Sequence, residues 1–187
     1  VPPVVSSVNV TPSSVTLLIG AEQTLTATPL ANGQAVSGRS VAWSSAAPSV
    51  ATVSGAGVVR GVAPGTVTIT ATVDGRSGTS TVLVESPAPT LSGITPTTAI
   101  AGSAALTLTV NGSAFASGTV VEWNGSARPT TVVSATQLTA TITATDLAQV
   151  GTYPIRVRTP APGGGTSTTT SFTTTPIPVA SVVLTAD

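Results

Sequence analysis

The residues able to perform acid–base or metal chemistry are few and scattered along the chain. The 187-residue sequence contains no His, Cys, Met or Lys. It therefore lacks an imidazole base, a thiolate nucleophile, the soft ligands of zinc and any disulfide. Paired carboxylates would be a remaining route to general acid–base catalysis. The six acids stand singly, with no Asp-x-Asp or Glu-x-x-Glu cluster: Glu22, Asp74, Glu85, Glu122, Asp146 and Asp187. We interpret them as solvated or turn-capping acids, and we predict no catalytic residue, no metal site and no cofactor.

The basic residues are all arginines, and they balance the acids to a formal net charge of zero. They are Arg39, Arg60, Arg76, Arg128, Arg156 and Arg158. Binding to a phosphate backbone or to an anionic membrane surface needs several clustered cations. The sequence therefore predicts neither a nucleic-acid partner nor membrane insertion. Arg156 and Arg158 are alternate residues and would share one face of a strand; we interpret that face as solvated.

The composition predicts an all-β protein. Apolar residues make up 41% of the chain, aromatic residues 3% and charged residues 6%, whereas charged residues usually account for about a quarter of a globular protein. Disorder requires low hydrophobicity as well as polarity, and the abundant Val, Thr and Ile favour a pleated, half-buried surface. No apolar run approaches the roughly 18 residues of a membrane-spanning helix. The start, Val1-Pro2-Pro3, does not resemble a signal peptide and indicates a mature or excised chain.

Short alternating segments recur every 8 to 12 residues or so, which is typical of a sandwich or barrel. The clearest is Thr66–Val73, where apolar residues alternate with Thr. Asp74-Gly75 follows it and predicts a tight hairpin. In the first half we predict strands over Val5–Val10, Val15–Leu18, Gln23–Thr28, Ser40–Ser44, Val50–Val53, Val58–Arg60, Thr66–Val73 and Thr79–Val84.

The second half has the same character, with Asn124-Gly125 as its hairpin turn. We predict strands over Leu91–Thr95, Ala105–Val110, Thr119–Trp123, Ser126–Val133, Gln137–Ile142, Gly151–Arg158 and Ser167–Thr173. The segment Asp146–Gln149 is predicted to form one helical turn capped by Thr145.

Two proline-bearing segments, Ser86–Pro89 and Thr175–Pro178, interrupt the strand pattern. Prolines stiffen a chain and remove ladder donors, so these segments are typical of linkers. Small sandwiches contain roughly 100 residues each. We therefore predict one domain over residues 1–86, a second over 87–175, and a linker with the first strand of a following or neighbouring domain over 176–187.

The end of the chain repeats its beginning at a distance of 174 residues. Val5, Ser7, Val8 and Thr11 correspond to Val179, Ser181, Val182 and Thr185. We interpret Val179–Asp187 as an orphan first strand rather than a loose tail. A single strand needs a partner, which would be its own following domain or the open edge of a neighbouring copy. The residues predicted to carry this assembly role are Val179, Ser181, Val182, Val183 and Leu184.

The first half resembles the bacterial Ig-like group-two domain over residues 4–85. The motifs that carry the resemblance are Val5-x-x-Val8-x-Val10-Thr11-Pro12, Gly20-x-x-x-Thr24-Leu25-Thr26-Ala27, Val41-x-Trp43-Ser44-Ser45, Pro48-Ser49-Val50-Ala51-Thr52-Val53, Gly57-Val58-Val59-x-Gly61-Val62-Ala63-x-Gly65-Thr66 and Ile69-Thr70-Ala71. The resemblance implies an immunoglobulin-like β-sandwich of the kind used as a spacer or adhesive module in bacterial surface proteins, secreted polysaccharide-active enzymes and phage virions.

The second half resembles the IPT/TIG domain over residues 89–174. The motifs are Ile94-x-Pro96, Ala101-Gly102, Leu106-x-Leu108-x-Val110-x-Gly112-x-x-Phe115, Val120-x-Glu122-Trp123-Asn124-Gly125, Gln137-Leu138 and Gly151-x-Tyr153-x-Ile155-x-Val157, followed by Gly163–Gly165, Ser167 and Phe172. The resemblance implies a second immunoglobulin-like sandwich. Some relatives act in transcription factors, but this copy lacks the cations for DNA binding.

The predicted fold is thus all-β: two tandem immunoglobulin-like sandwiches plus a C-terminal orphan strand. The predicted structural core includes Trp43, Val67, Ile69, Phe115, Trp123 and Tyr153. Sequons such as Asn111-Gly112-Ser113 are interpreted as turns, and Thr166–Thr175 is either an edge strand or a site of O-linked sugars.

The leading functional hypothesis is a structural repeat unit of an extracellular bacterial fibre, stalk or adhesin. Its expected partners are copies of itself or adjacent Ig-like domains of the same chain, joined end to end by strand pairing. The alternative is a carbohydrate- or cell-surface-binding accessory module of a secreted enzyme or virion protein. That alternative keeps surface glycans among the expected partners, although most of the few aromatic residues occupy core-like positions.

Overall fold

The computed structural model describes residues 2–178, and within them the chain is built from strands and turns without a helix. This confirms the all-β prediction. The chain divides into two compact units. The first comprises residues 2–87 with 160–164, and the second comprises residues 88–159 with 165–178 of the described chain. Each unit has its own hydrophobic core.

The first unit contains ten strands arranged in three small sheets. The strands are β1 (Ser7–Thr11), β2 (Ser14–Leu18), β3 (Glu22–Thr24), β4 (Thr26–Ala31), β5 (Gln34–Ala35), β6 (Ala42–Ser45), β7 (Ala51–Val53), β8 (Val58–Gly61), β9 (Gly65–Val73) and β10 (Arg76–Glu85). The sheet orders are β1-β4-β5, β2-β10-β9-β6 and β3-β8-β7. Val5, Val8 and Val10 from the start of the chain are buried in this core.

The alternation in Thr66–Val73 produces the central strand of the first unit. In β9 the apolar residues Val67, Ile69, Ala71 and Val73 are all buried, because successive side chains of a strand point to opposite faces. Asp74 and Gly75 both have positive φ (49° and 75°), as a type I′ turn requires. β10 returns antiparallel to β9. The predicted hairpin is confirmed.

The predicted single strand Gln23–Thr28 is wrong, because it is two strands in different sheets. β3 pairs with β8, whereas β4 pairs with β1. Between them Leu25 is buried and its N–H donates to the carbonyl of Gly57 over 2.9 Å. A buried side chain and a hydrogen bond outside either ladder thus mark the point where the chain changes sheets.

The second unit contains strands β11 to β20. They are β11 (Thr90–Thr95), β12 (Thr98–Ile100), β13 (Leu106–Ser113), β14 (Val120–Trp123), β15 (Ser126–Arg128), β16 (Thr130–Ser134), β17 (Gln137–Ile142), β18 (Gly151–Thr159), β19 (Gly165–Thr166) and β20 (Thr170–Thr175). One sheet has the order β11-β13-β17-β16. The other has the order β12-β20-β18-β14-β15, with β19 also paired to β18.

An aromatic cluster lies in the core of the second unit. The ring centroids of Trp123 and Tyr153 are 5.0 Å apart in a stacked arrangement, and Phe172 lies 5.0 Å from Trp123 in a tilted one. Such pairs stabilise a core by about 0.5–1.5 kcal/mol beyond the area they bury. The three aromatic residues of this cluster come from β14, β18 and β20.

Two further expectations in the second unit are corrected. The predicted strand Ser126–Val133 is interrupted at Pro129, which has no N–H for a ladder; β15 pairs with β14 and β16 pairs with β17. The segment around Asp146 forms a single turn that begins earlier than predicted, with the Leu147 N–H donating to the Thr143 carbonyl over 3.3 Å. Its cap is Thr143, not Thr145: the Thr143 N–H donates to the Asp146 carboxylate over 3.0 Å, and the Asp146 N–H donates back to Thr143 Oγ1 over 3.2 Å.

Candidate functional site

The structure places the predicted core residues in two groups. Val67, Ile69, Phe115 and Trp123 are buried. Trp43 and Tyr153 are partly buried and pack against the two cores. Trp43 lies on β6 and lines a surface cavity of about 210 Å³. The other residues of that cavity are Ser44, Ser45, Pro48, Thr52 and Val53.

The predicted assembly residues lie outside the described part of the chain. Val179, Ser181, Val182, Val183 and Leu184 all fall in this segment, and their role stays a prediction. The structure does describe the segment that they repeat. In that segment Val5, Val8 and Val10 are buried, while Ser7 and Asn9 are exposed.

A charge cluster on the second unit is the most developed polar site in the described residues. Glu122 lies on β14 directly opposite Arg156 of β18. Its two carboxylate oxygens accept separate hydrogen bonds from Arg156 Nε at 2.6 Å and from Arg158 Nε at 2.8 Å. The Glu122 side chain is only 7% exposed, whereas the two arginine side chains are 45% and 46% exposed. The interpretation of Glu122 as a solvated acid is therefore wrong, and the two arginines are paired as well as partly solvated.

Two opposing effects act on the pKa of Glu122. Burial by itself raises the pKa of a carboxyl group, because it disfavours the charged form. The hydrogen bonds from Arg158 and Arg156, together with their positive charges, outweigh burial and hold the pKa of Glu122 below its ordinary value. Glu122 is therefore an ionised anchor for two guanidinium groups and is not poised to exchange a proton near neutral pH.

A surface cavity of about 290 Å³ adjoins this cluster. It is lined by Asn124, Gly125, Pro154, Arg156 and Thr169. Asn124 and Gly125 are the central residues of the β14–β15 hairpin and have positive φ values of 48° and 81°, which confirms the second predicted hairpin. The Asn124 N–H donates to the Pro154 carbonyl over 2.9 Å and ties the turn to β18.

A second ion pair fastens the Asp146 turn to β15. Arg128 binds the Asp146 carboxylate in a bidentate manner, with Nε to Oδ2 at 2.8 Å and Nη2 to Oδ1. The hydrogen bond from Arg128, with further bonds from Thr143, lowers the pKa of Asp146 to about 2. The same pairing raises the pKa of Arg128. This pair has a structural role, because both of its charges are satisfied within the domain.

Comparison with protein families assigns both halves of the chain. Residues 4–84 match the bacterial Ig-like domain (group 2), and residues 89–174 match the IPT/TIG domain. The chain is a group 2 bacterial Ig-like domain followed by an IPT/TIG domain. Both resemblances drawn from the sequence motifs are confirmed. No curated protein sequence matches the chain significantly.

Solved structures with similar folds include several multidomain proteins. The Yersinia pseudotuberculosis adhesin InvE is 18% identical, with 90% of this chain and 58% of that chain covered and a TM-score of 0.53. The chain thus spans little more than half of that structure, and the likeness shows a shared fold. Domains 5–6 of the S-layer protein SbsC (19% identity, 92% and 98% covered) give a TM-score of 0.40. Murine CEACAM1b (16% identity, 91% and 99% covered) gives 0.35.

Three of the five acids in residues 2–178 are paired with arginines of their own domain. Glu122 and Asp146 bind arginines of the IPT/TIG domain, and Asp74 lies 3.3 Å from Arg39 in the group 2 domain. Among residues 2–178 no three acids come together as a metal site would require. No helix in that range is long and apolar enough to cross a membrane.

The sequence contained only part of the signal for the Glu122 cluster. The alternation Arg156-Val157-Arg158 indicated a shared strand face, and the motif Glu122-Trp123 marked a strand. The cross-strand register that sets Glu122 opposite Arg156 joins residues 34 positions apart, and no local pattern specifies it.

Proposed function

We propose that this chain is a load-bearing structural repeat unit of an extracellular bacterial fibre, stalk or adhesin. The observation that carries the proposal is the pairing of strands near the two ends of each domain. In both domains the last strand lies parallel to a strand close to the start of the domain. A stretching force applied through the ends of such a domain loads the connecting hydrogen bonds together.

In the group 2 domain this pairing joins β2 to β10. Ser14 lies opposite Thr81, and Leu18 lies opposite Glu85. Tension from the N-terminal side reaches β2 at its Ser14 end once β1 has detached from β4, and tension from the C-terminal side acts on β10 at its Glu85 end. The two forces meet the ladder at opposite ends, so they slide the strands past each other and do not open the bonds one at a time.

The IPT/TIG domain repeats the arrangement with β12 and β20. Thr98 lies opposite Thr173, and Ile100 lies opposite Thr175. The ladder is extended at each end, by the Thr173 N–H donating to Thr97 over 3.0 Å and by the Ala101 N–H donating to Thr175 over 2.8 Å. This patch is shorter than that of the group 2 domain, so we expect the IPT/TIG domain to unfold at the lower force.

The substitution Val15→Pro tests the proposed mechanical role. The bonds Thr81 N–H to Ser13 O and Ile19 N–H to Glu85 O mark the two ends of the β2–β10 ladder. In a parallel ladder between those ends, alternate residues donate, which assigns the N–H of Val15 to the Thr81 carbonyl. Proline removes that donor at a cost of about 1–3 kcal/mol. Single-molecule stretching should show a lower unfolding force for the group 2 domain and an unchanged force for the IPT/TIG domain.

Thr16→Pro is the matched control. Thr16 is exposed, and its N–H points away from β10 on an edge strand, where proline is tolerated. Equal forces for Val15→Pro and the unsubstituted chain would contradict the proposal. So would an equal loss of force in both proline variants.

The extracellular, cell-surface location is part of the same proposal. It is supported by the group 2 family's description as a bacterial Ig-like domain and by the fold shared with a bacterial adhesin. The low content of charged residues and the abundance of Thr and Ser also suit a module that is held in a larger surface structure.

We further propose that residues Val179–Asp187 form the strand that joins one repeat to the next. The three buried positions before and within β1, Val5, Val8 and Val10, correspond to Val179, Val182 and Leu184, which are all apolar. The exposed Asn9 corresponds to Val183. The segment therefore has the residues needed to fill the place that β1 takes beside β4, in the following domain or in a neighbouring copy.

Val182→Asp tests the junction, with Val183→Asp as its control. Asp at a position equivalent to the buried Val8 would put an unpaired charge into a core, at a cost of several kcal/mol. In the purified chain we expect Val182→Asp to abolish filaments seen by electron microscopy. In a chain carrying the following domain, we expect it to unfold that domain. Val183→Asp should have neither effect; equal behaviour of the two variants would contradict the proposed register.

A further inference from the structure

The charge of the IPT/TIG domain is concentrated at one place. Between residues 88 and 178 the domain has three arginines and two acids, which leaves one positive charge in excess. Arg128 and Asp146 neutralise each other. The excess therefore lies at Glu122, Arg156 and Arg158, where one buried carboxylate faces two guanidinium groups. A single arginine would neutralise Glu122, so the second guanidinium is not explained by the burial of that acid.

The two guanidinium groups retain hydrogen-bond donors. Each guanidinium has five N–H groups, and Glu122 accepts only from the two Nε atoms. Within residues 2–178 the Nη atoms of Arg156 and Arg158 have no hydrogen-bond partner. Because both side chains are nearly half exposed, these donors are accessible to a ligand. Glu122 holds both guanidinium groups in place. This reduces the side-chain conformational entropy that is lost when a ligand binds.

The cavity beside Arg156 has the size and lining of a small-ligand site. Its volume of about 290 Å³ is close to the lower end of such sites, roughly 300 Å³. Asn124 contributes an amide, Thr169 a hydroxyl group and Pro154 an apolar ring, and all three are exposed. A ligand that suits this lining has one carboxylate, several hydroxyl groups and an apolar C–H face.

We propose that this site binds a uronic acid residue of an acidic polysaccharide. The sugar carboxylate accepts hydrogen bonds from the Nη donors of Arg156, which lines the cavity, and of Arg158, which is held beside it by the same Glu122 carboxylate; guanidinium groups favour this arrangement. The sugar hydroxyl groups bind Asn124 and Thr169, and the C–H face of the ring packs on Pro154. An Asp or Glu side chain of a peptide satisfies the arginines but leaves the amide, the hydroxyl and the apolar wall unused. This site is additional to the load-bearing role, which does not depend on it.

The experiment measures binding of the full chain to polygalacturonate oligosaccharides by calorimetry in about 0.15 M salt, where exposed charges are already screened. Methyl-esterified oligosaccharides of the same length are the matched ligand, because they lack the carboxylate charge. We expect the methyl ester and the Arg156→Gln variant each to weaken binding by about tenfold or more, the effect of losing a charge-assisted hydrogen bond. In Arg156→Gln, Glu122 keeps Arg158 as a partner, so the domain should stay folded.

Arg76→Gln controls for net charge, since Arg76 is exposed on the group 2 domain, and it should bind as the unsubstituted chain does. Asn124→Gly is a second test that preserves the hairpin, because glycine suits a type I′ turn; the loss of its amide should weaken binding by about threefold. The proposal is overturned if Arg76→Gln and Arg156→Gln weaken binding equally, or if neither weakens it. It is also overturned if polyglutamate binds as tightly as polygalacturonate. None of these outcomes bears on the unfolding forces of Val15→Pro.

Discussion

Gly112→Ala should destabilise the IPT/TIG domain by about 3 kcal/mol or more and leave the group 2 domain unaffected. Gly112 lies on β13, and a Cβ at this position would lie 1.9 Å from the carbonyl oxygen of Thr90 and 2.6 Å from Cζ of Phe115. The first contact is to backbone, which cannot turn aside as a flexible side chain can. The overlap between the new Cβ and the Thr90 carbonyl is removed only if β11 moves away from β13. Overpacking of this kind costs about 1–3 kcal/mol, or more where backbone must move.

Gly93→Ala is the matched control, because Gly93 lies on β11 and a Cβ there meets no atom within 4 Å. Its effect should stay within about 0.5 kcal/mol. Hydrogen exchange followed by mass spectrometry resolves the two domains and gives the free energy of opening of each. An IPT/TIG domain that is as stable in Gly112→Ala as in Gly93→Ala would show that the close approach of β11 and β13 is wrong.

The second large effect is expected when both partners of Glu122 are removed together. The double variant Arg156→Gln/Arg158→Gln leaves a buried carboxylate without a compensating charge, which costs about 3 kcal/mol. For a domain of this size that corresponds to a fall of about 12–24 °C in the unfolding midpoint. Either single variant should lose far less, because one arginine still pairs with Glu122.

The contribution of Glu122 to the pH dependence of stability should be reversed in the double variant, whereas that of Asp146, which keeps Arg128, should be retained. In the unsubstituted chain the folded-state pKa of Glu122 is below its ordinary value. Ionised Glu122 therefore stabilises the domain at pH values above the ordinary pKa, and this stabilisation is lost as the pH falls through the folded-state pKa. The pKa of Asp146, lowered to about 2, acts in the same direction. Without the arginines, burial raises the pKa of Glu122. The unfolded chain then loses its proton first, and the IPT/TIG domain loses stability as pH rises above the ordinary carboxyl range.

Thermal unfolding of the double variant across about pH 3 to 8, a range that spans the ordinary carboxyl pKa values and extends above them, measures this change. Arg60→Gln/Arg76→Gln removes the same charge from exposed positions of the group 2 domain and should retain the original dependence. Adding Glu122→Gln to the double variant should restore most of the lost stability. Unchanged pH dependence in the double variant would contradict the burial of Glu122.

The local patterns in the sequence were sufficient for the fold class and for two of the hairpins. The alternation in Thr66–Val73 and the turn Asp74-Gly75 are local signals, and both act within a few residues of where they stand in the chain. Asn32-Gly33 carries the same turn signal and joins β4 to β5 with positive φ at both residues. That hairpin was missed because its second strand, Gln34–Ala35, is too short to show an alternation.

The wrong sequence predictions have a common physical cause: the local sequence of a strand does not specify which strand it pairs with. Gln23–Thr28 reads as one alternating run, and only the tertiary hydrogen bond from Leu25 to Gly57 separates β3 from β4. Likewise, Arg156 and Arg158 read as a solvated face until the register of β14 sets Glu122 beneath them. The strand predicted over Ser126–Val133 is an exception. Its interruption at Pro129 could have been predicted from the sequence alone, because proline has no N–H for a ladder.

The most direct test of the load-bearing account compares two directions of force on the group 2 domain. Attachment at residues 13 and 86, directly before β2 and directly after β10, loads the β2–β10 pair in shear. Attachment at residues 64 and 86 pulls on the open end of the β9–β10 hairpin, where Gly65 lies opposite Val84, and opens its bonds one after another. We predict that single-molecule stretching gives the higher unfolding force for attachment at residues 13 and 86. An equal or lower force in that geometry would contradict the account.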